Sequence, residues 1–570
     1  MRQLFYYLKP YIAKMSAGLT VKFIGTVMDL FIPWILAYLI DEIVPLNNIS
    51  HIMLWGLMMV ACSIVAVITN IIANRTASKV AADVTENIRR DLFKKISYLS
   101  CRQIDMFTVP SLVSRLTSDT YNVNRMLGMV QRLGVRAPIM LLGGIMVTLV
   151  LDPALAGILI GVLPFIAAAV WIISKKSIPL YGKSQKVLDK MVRTVRENIA
   201  GIRVIKALSR TEHEKERFSK VNEEAAGSES KAGMVMAVTN PLMNLLLNLG
   251  LTLVVAAGAW RVNMGLTQPG KIIAFLTYFT IILNAMMSIT RIFVLISKGA
   301  ASFGRIEEVM ETPKDLLLRE KDCIKSEYHV SFENVSFSYL KNKNNLSDIS
   351  FGLKQGETLG IIGAAGSGKS SIIKLLLRFY EADEGRIRIF GRNIDSIPDE
   401  ELHRKFGIVF QNDILFADTI AENINFGRGL SADQIAMSSI FAQAEEFIDS
   451  LSDRYEHGLA VKGTNLSGGQ KQRILISRAL AGNPEILILD DSSSALDYKT
   501  DARLRRSLWK NFKYITKIIV AQRISSIKHA NCILVLDEGK MIGCGTHEEL
   551  LKVCSSYKEI YQWQMGGAGR

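Results

Sequence analysis

The segment "LGIIGAAGSGKSS", residues 359–371, has the spacing GxxxxGK[ST], with Gly363, Gly368, Lys369 and Ser370 at the defining positions. These residue types suit a polyphosphate. Glycines let backbone N–H groups wrap phosphate oxygens, and Gly366, Ser367 and Ser371 join the expected nucleotide-contacting set. Lys369 is expected to bridge the β and γ phosphates, and Ser370 to hold Mg²⁺. An apolar strand precedes the loop and the helical run "SIIKLLLRF" follows, so the helix points its positive end at the anion. In "ILILDDSSSALD", residues 486–497, a second apolar strand ends in Asp490, and Asp491 follows at once. The first carboxylate suits a magnesium ligand. The second stands where a nucleotide hydrolase carries the acid that polarises its attacking water.

A further glycine-rich helix start, "NLSGGQKQR" at 465–473, also suits a phosphate. It resembles the signature of the ATP-binding cassette (ABC) superfamily. The resemblance implies ATP and Mg²⁺ as cofactors. It also implies that Ser467, Gly469 and Gln470 act in trans, on ATP held by a partner's phosphate loop. Tyr339 in "FENVSFSY" falls at the family's adenine-stacking position, where an aromatic face suits a base. Gln411 in "FGIVFQND" matches the loop that senses Mg²⁺ and touches the membrane hairpins. "EILILD" matches Walker B, with Asp490 on the metal. "SALD", ending at Asp497, matches the loop that crosses the dimer interface.

Three positions depart from the family pattern. The hydrolytic position carries Asp491 in place of Glu, one carbon shorter, and a general base must reach its water within hydrogen-bond distance. The switch segment "IIVAQRISSI" carries Gln522 where the family has His. Glutamine hydrogen-bonds a phosphate but neither carries charge nor relays a proton. In "LAVKGTNLSGGQ", Val461 stands about where exporters often keep an acid. The residues serving ATP in cis are altered while those serving it in trans are intact. That combination resembles the degenerate-site subunit of bacterial heterodimeric multidrug exporters.

The elements that must position these loops follow from composition. Hydrophobic residues make up 49% of the 570 and mean hydropathy is +0.23, with most long apolar runs before residue 300. Six stretches approach the roughly 20 apolar residues that a bilayer requires: 16–40, 51–74, 133–151, 154–174, 235–260 and 272–296. Leu141 to Ile173 carries no Lys or Arg and is broken by Asp152-Pro153. It reads as two spans and a tight turn, not as buried helices of a soluble protein. Lys and Arg concentrate in 75–132 and 175–233 and are absent from 41–50, 152–153 and 262–270. This asymmetry puts both long loops in the cytoplasm. It also accounts for the net charge of +15 without a nucleic-acid partner, for which a clustered basic face with interleaved aromatics is missing.

The long loops keep helical periodicity, so the spans are expected to continue as two cytoplasmic hairpins with tips near 101–120 and 193–208, where Pro110 and Gly201 interrupt. Such tips suit the transmission of movement from a cytoplasmic motor. Asn240, Asn244 and Asn248 share one helix face. Asn284, Ser288 and Arg291 form a second stripe, and Asp29 lies in the first span. These residues serve either helix–helix hydrogen bonding or a water-filled substrate cavity. Asp41 and Glu42 sit at the outer mouth, as part of a gate or simply solvated. The six cysteines show no metal-ligand spacing and read as free thiols. No cleavable leader is expected; "MRQLFYYLKPYIAK" reads as an amphipathic lead-in on the cytoplasmic face. No peptidase-like segment precedes the first span, which argues against a peptide-processing exporter, and "GGAGR" reads as a flexible tail.

The expected fold is an all-α membrane domain of six transmembrane helices with long cytoplasmic helical extensions, plus a C-terminal α/β P-loop ABC nucleotide-binding domain. The expected boundaries are 1–310, a linker over 311–328, and 329–570. The resemblance implies an integral, multi-pass subunit of a bacterial plasma-membrane exporter, with its nucleotide-binding domain in the cytoplasm. Its expected partners are membrane lipids, a small-molecule or lipophilic substrate, and a paralogous half-transporter carrying the catalytic Glu and switch His. A homodimer hydrolysing slowly through Asp491 and a non-transporting nucleotide sensor are the alternatives.

Overall fold

The structure, a computed structural model, describes residues 2–319, 322–339, 341–492 and 495–566. Two residues of the expected linker, the serine of "SALD" (Ser494) and most of the "GGAGR" tail lie outside the described residues. The chain divides into two compact units, Met1–Ser97 with Val109–Thr312, and Tyr98–Thr108 with Pro313–Arg570.

The first unit is helical. Among the described residues, six helical stretches are long and apolar enough to cross a membrane: Gln3–Leu46, Ile49–Ser97, Val109–Leu151, Pro153–Ala200, Thr211–Asn263 and Pro269–Glu311. Each contains one expected span. In Ile49–Ser97 the apolar window is only 6% buried, and Leu57 is 67% exposed. An aqueous fold would cover such side chains, whereas lipid accepts them. That helix has 49 residues. At about 1.5 Å per residue it runs about 70 Å, against a hydrocarbon core of about 30 Å, so the extension beyond the membrane is continuous with the span.

Local chemistry sets the breaks. Asp152 caps the following helix by accepting hydrogen bonds from the backbone N–H of Ala154 (3.0 Å) and Leu155 (3.2 Å). Pro153 opens that helix, where its missing N–H costs nothing. Gly201 ends the long helix Pro153–Ala200, and Thr108, at φ +63°, breaks the chain two residues before Pro110. A Cβ at Gly250 would sit 2.3 Å from the Phe279 ring, so only glycine lets these two helices approach so closely.

The second unit carries, among the described residues, a ten-stranded sheet. Its strands are β1 (Val330–Phe337), β2 (Leu346–Leu353), β3 (Thr358–Gly363), β4 (Glu384–Ile389), β5 (Arg392–Asn393), β6 (Phe406–Val409), β7 (Ile486–Asp490), β8 (Thr516–Val520), β9 (Cys532–Asp537) and β10 (Lys540–Gly545). Their order is β5-β4-β1-β2-β10-β9-β3-β8-β7-β6. The β9-β3-β8-β7-β6 part is parallel, and its strands are apolar runs, as a sheet covered on both faces requires. All five residues of β7 are buried. Register brings β3 and β7 to either side of β8, with Ile361 and Asp490 both opposite Val520. The loops after β3, β7 and β8 therefore emerge together, at the carboxyl ends where ligands of such sheets bind.

This unit also takes in the tip segment 98–108. Ser100 and Gln103 form a capping box on the short helix Cys101–Phe107. The Gln103 amide donates to Pro313 O at 2.7 Å, and the Ser100 hydroxyl to Asp315 at 2.7 Å. The Tyr380 hydroxyl donates to Asp105.

Candidate functional site

A cavity of about 350 Å³ opens at the carboxyl ends of β3, β7 and β8. Tyr339, Gly366, Gly368, Lys369, Ser370, Ser371, Gln411, Asp490, Asp491 and Gln522 line it. Sequence reasoning singled out each of these. It missed Asn345, which also lines the cavity and whose side-chain oxygen accepts from Tyr339 N at 3.1 Å. No local pattern flags that residue, because it lies in the turn leading into β2.

The loop after β3 has the backbone that a phosphate cradle needs. Gly366 (φ +82°) and Gly368 (φ +99°) adopt left-handed conformations that an L side chain resists. Gly363 lies just outside the cavity lining, and a Cβ there would meet Leu536 O at 2.2 Å. Ser367 is 2% exposed, and its hydroxyl has no hydrogen-bond partner among the described residues. A buried hydroxyl left in this state invites an external acceptor or donor. Lys369 Nζ donates to the carbonyls of Gly363 (2.9 Å) and Ala364 (2.7 Å). Burial pushes its ammonium below the usual lysine range, and Asp490 and Asp491 oppose that shift.

The carboxylates are set by β7. Asp490 is 5% exposed and accepts from the Ser370 hydroxyl at 3.3 Å. Burial pushes Asp490 above the usual carboxylate range. Two hard oxygens held this close, one of them anionic and poorly hydrated, suit a divalent cation such as Mg²⁺. Asp491 turns the chain at φ +50°, and its N–H donates to Val520 O at 3.0 Å. Gln522, two residues beyond, donates its amide to Asp491 Oδ2 at 2.8 Å. Burial raises Asp491 too, and the Gln522 hydrogen bond pulls it down. A second amide holds the switch segment from behind. Gln564 donates to Gln522 O and accepts from Ile524 N, both at 2.8 Å. Sequence reasoning missed this residue as well.

Tyr339 donates to or accepts from Ser371 Oγ at 3.2 Å, and Lys374 Nζ lies 5.1 Å from its ring centroid. A base stacking on Tyr339 would use the face away from Lys374 or displace it. Gln411 follows β6 and is exposed.

Ser467, Gly469, Gln470 and Asp497 are not brought to this cavity. Ser467 and Gln470 form a capping box at the start of the helix Gly468–Ala481, with Ser467 exposed. Ala495 N donates to Gln472 at 3.1 Å, joining this helix to the stretch before Asp497. Asp497 caps the next helix by accepting from Thr500 N at 2.9 Å. Val461 is 68% exposed.

The polar stripes of the first unit divide. Asp29, Asn284 and Ser288 line a second cavity, together with Arg136. Asn240, Asn244, Asn248 and Arg291 are exposed outside it. Asp41, expected at the outer mouth, accepts from the backbone N–H of Gly270 and Lys271.

Comparison with known proteins agrees with this geometry. The family described as ABC transporter transmembrane region matches residues 15–286, and the family described as ABC transporter matches residues 346–494. The uncharacterized ABC transporter ATP-binding protein YfiB of Bacillus subtilis is 35% identical, over 99% of this chain and 98% of that protein. The putative ABC transporter ATP-binding protein exp8 of Streptococcus pneumoniae is 32% identical, over 99% and 97%. A solved bacterial Atm1-family ABC exporter with ATP bound superposes with a TM-score of 0.82 at 24% identity, covering 97% of this chain and 98% of that one. That likeness is one of fold.

Proposed function

The chain belongs to the ABC transporter family, and from that premise we propose that it is one subunit of an ATP-driven exporter of lipophilic small molecules, including drugs, paired with a paralogous half-transporter. One observation carries the reading: Gln522 spends its amide on Asp491. The two substituted positions act on each other, and together they make a poor hydrolytic pair. Asp491 is short of the family's glutamate, and a displacement on the order of 1 Å costs about 10²-fold in rate. Glutamine offers no proton relay.

The binding set remains. Lys369, Ser370 and Asp490 would hold the triphosphate and Mg²⁺, and Gly366 and Gly368 would let backbone N–H groups face phosphate oxygens. Bound ATP supplies the phosphoryl group whose transfer to water resets the transporter. Ser467, Gly469 and Gln470 lie away from this cavity with their helix start exposed, which supports action on the partner's ATP. The partner is expected to carry the catalytic Glu and switch His, so that rapid hydrolysis runs at its composite site. Gln411 and the tip helix Cys101–Phe107 are the expected route from nucleotide to membrane helices. The subunit sits in the bacterial plasma membrane with its second unit in the cytoplasm. ATP-dependent uptake of a lipophilic dye into inverted vesicles containing both subunits tests the reading. Uptake is expected with both present and not with either alone.

A second reading has its own support. Burial raises Asp491, which makes it a better proton acceptor, and this favours a homodimer that hydrolyses slowly through Asp491.

A further inference from the structure

The second cavity, about 390 Å³, lies within the membrane-crossing helices. Asp29 from the first span, Arg136 from the third, and Asn284 and Ser288 from the sixth supply its polar lining, and Leu133, Met140 and Ile281 line it with apolar surface. Arg136 Nη2 pairs with Asp29 Oδ2 at 3.1 Å. The network continues behind the wall. Asn70 donates to Asp29 at 3.5 Å, and Lys22 donates to Asn70 at 2.8 Å and Asn74 at 3.1 Å. Lys22 is 3% exposed.

The charge does not balance. Lys22 and Arg136 bring two positive charges to this connected network, and Asp29 brings one negative charge. Two cations share one carboxylate within the membrane-crossing helices. Neutral amides satisfy the hydrogen bonds of Lys22 but supply no counter-charge. An ionised group within a span is costly, and it faces a functional cavity by default. An anion from outside the chain would offset the excess.

We propose that this cavity binds an anionic amphiphile, with its headgroup at Arg136 and its tail along Leu133, Met140 and Ile281. The inference rests on the exporter reading and narrows its substrate to molecules with a negative head and an apolar tail. The positions of the groups support entry from the inner leaflet: Lys22 lies early in the first span and Arg136 early in the third, both of which begin on the cytoplasmic side.

The test is binding without nucleotide. The full chain in phosphatidylcholine nanodiscs is titrated with a dansyl-tagged alkyl sulfonate and with the alkylammonium of the same length and tag. The sulfonate is expected to bind saturably and about 10-fold more tightly. Arg136→Gln is expected to abolish that preference. Asn284→Asp leaves the Arg136–Asp29 pair in place and adds a carboxylate to the cavity. It is expected to shift the preference toward the ammonium, so the test survives a misfolded Arg136 variant. Equal affinities, a tighter ammonium, or a preference unchanged in Asn284→Asp overturns the proposal. Doping the nanodiscs with phosphatidylglycerol separates two sources of the same chemistry. Competition assigns the site to a bilayer headgroup, no competition assigns it to a free amphiphile, and the anionic class stands in both cases. Failed dye uptake with an intact sulfonate preference would reject the exporter reading and leave this site standing.

Discussion

Gln522 donates its side-chain amide to Asp491 across 2.8 Å, so the two positions read from the sequence as departures from the expected pattern meet in one contact. The contact follows from strand register. Asp490 pairs with Val520, Asp491 N donates to Val520 O, and Gln522 stands two residues further along. A change at either position alters the surroundings of the other, so they are best tested together.

The double variant Asp491→Glu with Gln522→His restores reach and a proton relay, and in the chain purified alone a second copy supplies the intact signature in trans. ATP turnover of the chain purified alone is expected to rise about 10²-fold. Phosphate release measures it. No rise would locate the defect elsewhere in the site.

Ser467→Arg places a bulky cation at a helix start that holds no part of this chain's own phosphate loop. In the complex with the partner, nucleotide binding at Lys369 is expected to persist, while hydrolysis falls by about 10²-fold or more, as for the loss of a group that acts on the transition state. Equal loss of binding and hydrolysis would mean that the signature serves its own chain.

Gln564 clamps the switch segment through Gln522 O and Ile524 N. Gln564→Ala removes both bonds, at about 1 kcal/mol each. Amide exchange at Gln522 to Ile524 is expected to accelerate roughly 30-fold, with smaller changes in β3. Gln564→Glu keeps an acceptor for Ile524 N and is expected to fall between the two.

His329 is buried against Thr516 Oγ1 at 2.6 Å, and burial pushes its imidazole down to about 4 from the ordinary 6.5. The unfolded chain takes up a proton near 6.5 that the folded chain refuses until about 4. The neutral ring's stabilisation is therefore complete above pH 6.5 and is lost as the pH falls from there toward 4, by roughly 3 kcal/mol in all. Thermal unfolding at pH 7.5 and pH 5 is expected to show this loss in the wild type and much less of it in His329→Leu. Parallel curves would contradict the assignment.

The parts legible in the sequence are those fixed by neighbours along the chain. Asp152-Pro153 announced a turn because a capping carboxylate and a proline at the first helical position are local devices. The loop Gly363–Ser371 declared itself because its glycines and lysine act within a few residues of each other. Pairings across the fold were not legible. Asp491 and Gln522 read as two separate departures until sheet register joined them. Arg136 was not singled out in the sequence, and only helix packing sets it against Asp29. The Asn240–Asn244–Asn248 face was legible as a face, but packing leaves it outside the cavity that Asp29 lines. Gln564 carried no signal because its partners are backbone atoms some forty residues away.

The central claim is that this chain's own site binds ATP but hydrolyses it poorly. ATP turnover of the chain purified alone, beside its Asp491→Asn variant, tests that most directly. The account predicts turnover no higher than the variant's, restored when the paralogous partner is co-expressed. Appreciable turnover that Asp491→Asn abolishes would contradict it, and would make Asp491 the working base of a homodimer.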